Sequence, residues 1–406
     1  MRWDEADEEI EAQLGNEEAV EINLSDREFI LRRSWNDKNI VAVQVWGARV
    51  IASPGKLPIS EDDLENNGLI WPGFKEPITH AKAMQMSPAD RVYMKDAVLN
   101  AYEGRPEFCV NPNSGSVTLG TQWSVGPCHR VGRDLISVEL KKLYEGAPQH
   151  VTHEWHSHAV DAPIEAALEQ MAMERNIGIR AKEIVFATLA LGEGLSRLAQ
   201  AVSLPGLQPE DFVGLRRKAL EHQGWWTSEN IEPVTRHIPL NMPETAFLGR
   251  CMVLEQLIIE GLSQNNLRLT LRMLGVPAGE IEKLRSLKLL DRLVCMVQVA
   301  CQAGLELVLQ GKEVWDRLQR DGTTPAEPIA HLFALHDLRV LGGHKSGNRR
   351  GELETHLKRF GIGPRDAAAG YGTILDRVYD TLGSELQQAR GKIEAALSQS
   401  QLGRDL

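Results

Sequence analysis

The rhythm of apolar and polar positions changes near residue 160. Upstream, short runs alternate with period two. Val41, Val43 and Val45 share one face of a β-prone run over residues 39–51, which follows a run over 28–35 across Asn36-Asp37-Lys38, as a half-buried hairpin requires. Phe108-Cys109-Val110 and residues 116–119 predict a second hairpin around Asn111-Pro112-Asn113-Ser114-Gly115, a loop of turn-stabilising residues. Residues 133–140 and 150–156 read as further strands and 89–101 as a helix, so 19–160 is expected to form an α+β domain.

Downstream of Asp161-Ala162-Pro163, which suits a helix start, the pattern turns helical. Helices are expected over 164–175, 182–202 and 210–222, followed by an irregular stretch from Trp225-Trp226 to Pro243 that reads as a linker. Phe247, Cys251, Leu254, Ile258 and Leu262 then recur at helical spacing, before helices over 267–274 and from about 280. A short helix over 353–360, the loop Gly361-Ile362-Gly363-Pro364 and a last helix over 371–397 complete the pattern. The expected organisation is an acidic tail (1–18), the α+β domain (19–160), a helical connector (161–243) and a C-terminal helical bundle (244–406).

Composition adds limits. At 406 residues and 42% apolar the chain has enough material for two or three cores. The longest apolar run, 293–309, is interrupted by Gln298, Gln302 and Glu306 and reads as a buried bundle helix rather than a membrane span. The N-terminus lacks a basic flank and apolar core, and five cysteines, with Cys251, Cys295 and Cys301 at apolar helical positions, suit a reducing compartment. A cytoplasmic protein without membrane contact is expected. The net charge of −11 argues against wholesale coating of nucleic acid. Its distribution is uneven: residues 1–28 hold eleven acidic groups, whereas 339–365 hold seven basic ones against Glu352 and Glu354.

Within that cationic stretch, Leu335-His336-Asp337-Leu338-Arg339-Val340-Leu341-Gly342-Gly343-His344-Lys345 sets an arginine five positions before a histidine. Arginine holds its charge and histidine exchanges protons near neutral pH, so together they suit phosphodiester cleavage without a metal. On one ideal helix a five-residue offset leaves them about 140° apart. Convergence on one phosphate needs a break at Gly342-Gly343 or a second chain.

This stretch, with the helices on either side of it, resembles the Arg-x4-His signature of HEPN domains, helical modules of RNases in toxin, CRISPR and antiviral-defence systems. The resemblance covers roughly the last 160 residues. It implies a HEPN-like bundle in which two copies pair and form one composite groove for RNA, tRNA among the targets, with no cofactor. Arg339 would bind the scissile phosphate and His344 would move a proton, as base for the 2′-hydroxyl or as acid for the leaving 5′-oxygen. Lys345, Arg349 and Arg350 would guide the strand. Active members usually carry a polar residue directly after the arginine, where this chain has Val340. By analogy, the α+β domain would be a sensor or regulatory part that meets an invader-derived or regulatory protein, and the acidic tail would compete with RNA for the basic patch.

Two other readings remain open. One is a non-catalytic HEPN-like dimerisation platform whose N-terminal domain binds a ligand or protein. The other is a zinc hydrolase built on His156 and His158, which share a face if residues 150–156 are extended, with His129 or Cys128 as a further ligand. A solvated polar strand explains that cluster more simply. Walker, kinase and Gly-x-Ser-x-Gly motifs are absent from the sequence, Gly192-Glu193-Gly194 lacks dinucleotide spacing, and the tryptophans of the first part read as core.

Overall fold

A computed structural model describes residues 19–23, 28–35, 41–46, 68–320, 329–343, 349–363 and 365–402. The chain divides into two compact units, Met1–Leu64 and Glu65–Leu406. The expected acidic tail lies outside the described residues. In the first unit, β1 (Ala19–Asn23), β2 (Glu28–Trp35) and β3 (Val41–Trp46) pair antiparallel in that order, with Trp35 opposite Val41. The predicted hairpin is therefore present, and β1 adds a strand that the period-two reading passed over.

The second unit opens with α1 (His80–Met84), β4 (Arg91–Lys95), β5 (Cys109–Val110), β6 (Val117–Leu119), β7 (Trp123–Val125), β8 (Cys128–Val131) and β9 (Leu135–Glu139). The helices α2 (Leu140–Tyr144) and α3 (Gln149–Ser157) follow, then β10 (Ala159–Val160). Two antiparallel sheets result, ordered β10-β4-β9-β8 and β5-β6-β7. The second predicted hairpin is β5–β6: Asn111 Oδ1 accepts from the Asn113 N–H at 3.0 Å, and Gly115 sits at φ +82°, where a Cβ would strike Ile136.

Two expectations in this region are corrected. Residues 91–95 form a strand, because Val92 and Met94 alternate into the core while β4 pairs with both β9 and β10; only Asp96–Ala101 is helical, as a 3₁₀ turn. Residues 149–157 form a helix, because Val151, Thr152 and Trp155 are buried at i, i+1 and i+4 and Pro148 stands at the N-cap. The core of this region gathers residues from Trp71 to Trp155.

The remainder is helical, as the sequence pattern predicts: α4 (Glu165–Met171), α5 (Ile177–Ala201), α6 (Pro209–Val213), α7 (Arg217–Gln223), α8 (Glu232–Thr235) and α9 (Glu244–Glu255). A π-helical turn, Gln256–Glu260, continues α9. Then come α10 (Gln264–Met273), α11 (Ala278–Ile281), α12 (Ser286–Ala303), α13 (Leu307–Arg320), α14 (Ala330–Gly343), α15 (Arg349–Arg359) and α16 (Gly372–Leu402). Asn176 caps α5 by accepting from the Ile179 N–H, and α5 packs along α16, where Gly383 meets Ile184. The run over 293–309 spans two helices, because Gly304 at φ +65° ends α12; α12 and α13 bend by 99°. No described helix is long and apolar enough to cross a membrane alone.

One apolar core runs from Ile177 to Ala396. It crosses the boundary expected at 243/244, since Trp225, Ile231, Val234, Ile238 and Met242 are all buried in it. The stretch read as a linker is thus core, and its backbone is satisfied there: Tyr379 Oη donates to Val234 O at 2.7 Å, and Arg250 Nη1 donates to Arg236 O at 3.0 Å.

The α+β and helical cores of this unit meet through buried charge. Asp96 is 3.0 Å or less from both Arg130 Nη1 (2.9 Å) and His237 Nδ1 (2.8 Å), and Glu103 accepts the His237 N–H with both oxygens at 2.9 Å. Burial alone would raise the Asp96 carboxyl; the His237 hydrogen bond and the Arg130 charge outweigh it and hold the group below the usual range. Burial raises Glu103, against the pull of the same N–H. Nearby, Arg133 Nε donates to Asp376 Oδ2 at 2.7 Å and Nη1 to Ile238 O at 2.9 Å. Arg133→Ala leaves the nearly buried Asp376 carboxylate with only the longer contact to Arg180 Nη1 at 3.7 Å. It is expected to lower unfolding free energy in urea by on the order of 3 kcal/mol, with Arg133→Lys recovering only part.

Candidate functional site

The Arg339 region is assembled from three neighbouring elements. Helix α14 lies against α9, and Gly342 faces it: a Cβ there would make ordinary contact with Leu248 Cβ at 3.4 Å and Met252 Sδ at 3.5 Å. The helix stays regular through Gly342 and Gly343, the last described residues before 349, so no kink precedes position 343. Leu332, Leu335, Leu338 and Leu341 are buried, which sets the inner face of α14 and turns His336 and Arg339 outward, their side chains 43% and 39% exposed. Three residues apart, the two side chains stand about 60° from each other and share one surface.

That surface is backed by acid. His336 Nδ1 lies 2.9 Å from Glu255 Oε1, and Arg339 Nη2 donates to Glu260 Oε1 at 3.2 Å while its Nε stands 3.9 Å from Glu255 Oε2. In a regular helix, positions 255 and 260 would diverge by about 140°. The π turn between them closes i→i+5 bonds and widens the turn, so positions five apart come round to one side of the helix and both carboxylates face one arginine. The Glu255 side chain is only 3% exposed, and its Oε2 has no hydrogen-bond partner.

Of the residues that the sequence marked, Arg339 is therefore an ion-paired surface arginine. His344 and Lys345 lie outside the described residues, and Arg349 opens α15. Arg350 is 91% exposed beside Glu354 at 3.3 Å. The cationic stretch is partly neutralised by acids outside its own window: Glu260 faces Arg339, and Asp337 takes Arg359 at 2.6 Å. Sequence reasoning missed Glu255 and His336 as site residues. The only signal available was the histidine one turn before the arginine; an acid 81 positions upstream carries none.

The histidine cluster loses its geometric basis. His156 lies in α3 and His158 is the residue that caps its C-terminal end, so the pair does not share the face of an extended strand. His156 Nε2 lies 2.9 Å from Ile70 O against Trp71, and His158 lies 3.5 Å from Glu154. Among the described residues no three His, Cys, Asp or Glu side chains converge as metal ligands do. Cys128 is a buried thiol, pushed up to about 12 by burial.

A second histidine at the other end of α14 has a structural role. Glu385, 3% exposed, accepts the backbone N–H groups of His331 and Leu332, which are orphan donors at the start of the helix, and also meets His331 Nδ1. They border an open groove of about 590 Å³ with Asp380, Ser384 and Lys392. The Glu385 hydrogen bond raises the His331 pKa against its partial burial. A raised folded-state value gives stability that is complete below the unfolded value near 6.5 and is lost as pH rises through the folded one. Thermal melts of wild type and His331→Gln should therefore differ most below about pH 6 and draw together as pH rises. No family model, no curated protein and no solved structure matches this chain.

Proposed function

We propose that the chain is a metal-independent endoribonuclease of the HEPN type, acting in the cytoplasm as a homodimer, in antiviral defence or as a toxin. The observation that carries the reading is the outward face of α14, where Arg339 stands beside an exposed histidine at the end of a helical bundle. Arg339 binds the scissile phosphate. Its present partner Glu260 is half exposed, and such surface pairs are worth about 0–1 kcal/mol, so a phosphodiester displaces the carboxylate at small cost. His344 supplies proton transfer, with Lys345, Arg349 and Arg350 guiding the strand. The pairing of two copies brings two arginine–histidine motifs to one groove, which answers the angular separation within a single helix.

A specific observation favours the alternative of a non-catalytic HEPN-like platform: two carboxylates, one before the π turn and one at its end, already attend Arg339, as a purely structural arginine would have them. The two readings part on one experiment. Purified wild type, Arg339→Ala and His344→Ala are incubated with tRNA and total RNA in EDTA, with gel analysis and 3′-end chemistry. Cleavage that leaves cyclic phosphate ends is expected for wild type, reduced about 10²–10³-fold in each variant, as for loss of one transition-state donor. Equal absence of cleavage in all three proteins favours the platform.

A further inference from the structure

Most arginines of the described residues are held by a carboxylate or a carbonyl, as Arg130, Arg133, Arg180 and Arg250 are. Around the start of α12 that pattern breaks. Arg268 on α10 donates to the carbonyls of Ile281 at 3.3 Å, Glu282 at 3.2 Å and Leu284 at 3.0 Å, and so ties the segment ahead of α12 to α10. Arg272, one turn on from Arg268, lies on the same side of α10. Arg272, Lys283, Arg285 and Lys288 are exposed and Arg292 is half-buried, and none of them has an ion pair or a side-chain hydrogen bond among the described residues. Lys288 and Arg292, one turn apart, share the outer face of α12, whose leucines at 287, 289, 290 and 293 are buried. Arg285, the N-cap, stands one turn before Lys288, so the row from 285 to 292 is about 10 Å long. No exposed acid interrupts it on α12: Asp291 is buried, and Glu280 and Glu282 belong to α11 and its C-cap. Arg285 and Lys288 stand at the positive end of the helix, where a cation is disfavoured. Stability alone would place carboxylates there.

The row adjoins the surface of Arg339. Ser286 Oγ donates to Ile259 O at 3.4 Å, and the next residue, Glu260, is the partner of Arg339. The start of α12 therefore stands beside the π turn that faces the arginine. We infer that Arg272, Lys283, Arg285, Lys288 and Arg292 form a docking track for single-stranded RNA, continuing the strand whose scissile phosphate Arg339 holds; the choice of ligand rests on the ribonuclease reading above. Cations left unpaired in a chain of net charge −11 are complementary to a polyanion. A short row of point charges follows one backbone, and each phosphate that meets it releases counterions. Between residues 264 and 292 the chain has no Phe, Trp or Tyr on which a base could stack, so the track holds phosphates and is indifferent to base sequence. Lysine serves there as well as arginine, because only the charge is used. The contribution of the track grows with the length of the substrate. A dinucleotide carries a single phosphate, which Arg339 takes, and leaves the track empty.

The test is fluorescence anisotropy of the full-length protein with a labelled, 2′-O-methylated oligoribonucleotide of about 12 nucleotides, which binds but has no 2′-hydroxyl to react. Wild type is compared with the triple variant Arg285→Gln/Lys288→Gln/Arg292→Gln across a salt series. Each lost phosphate contact should flatten the logarithmic salt dependence by about 0.7, so the triple variant should lose about 2 from the slope. Its affinity should fall on the order of 10²-fold near 50 mM salt and about 10-fold near 200 mM. A second triple variant, Lys75→Gln/Lys141→Gln/Lys218→Gln, removes the same charge elsewhere and should keep the wild-type slope, as should Arg285→Lys/Arg292→Lys. Melting temperatures within a few degrees of wild type, expected for surface side chains, exclude misfolding. On unmodified RNA in EDTA the first triple variant should raise KM with kcat unchanged, and a dinucleotide substrate should not distinguish it from wild type. An unchanged slope and affinity in that variant overturn the track, and cleavage by wild type would still uphold the ribonuclease reading. Track-dependent binding without any cleavage upholds the track and overturns that reading. Binding to phosphatidylserine vesicles through the same residues, with none to RNA, overturns the inference in favour of a membrane surface.

Discussion

Buried charge at the seam between the two cores of the 65–406 unit is the constraint on which the rest of that unit depends. Asp96, Arg130, Glu103 and His237 meet where water is excluded, and each is tolerable only because the others are in place. Apolar cores slide to similar energy in several registers, whereas a forked arginine that must find Asp376 and Ile238 O together accepts one. The seam fixes the 231–243 segment; that segment holds Arg250 of α9, and α9 carries the π turn beneath α14. Geometry at the surface face is thus inherited from electrostatics well behind it.

Much of this architecture was legible in the chain. The change to helical periodicity near 160 coincides with the change from one apolar core to the next, and the turn residues at 111–115 marked their hairpin because Asn and Gly supply conformations that other residues resist. Failures have a common cause. At 91–95 and 150–156 the local pattern is too short to distinguish period 2 from period 3.6, and strand pairing in one case and burial of Trp155 in the other decided the outcome. The 225–243 stretch looked like a linker because it lacks periodicity, yet irregular backbone is at home in a core when side chains such as Arg250 and Tyr379 satisfy its carbonyls.

The site was half legible. Arg339 stands out in sequence because residues near it in the chain are basic, but electrostatic neighbours are set in space. Counting charges over 339–365 omits Glu255, Glu260 and Asp337, and these pair with His336, Arg339 and Arg359, so the cationic stretch is partly neutralised among the described residues.

The π turn carries a consequence for the length of the chain itself. A widened turn is equivalent to one residue inserted into a regular helix. Removing one position between 256 and 259 would leave Glu260 four places after Glu255, about 40° round an ordinary α-helix, so the two carboxylates would keep one face. In descendants of this chain, the segment should therefore admit the loss of one residue as well as substitution.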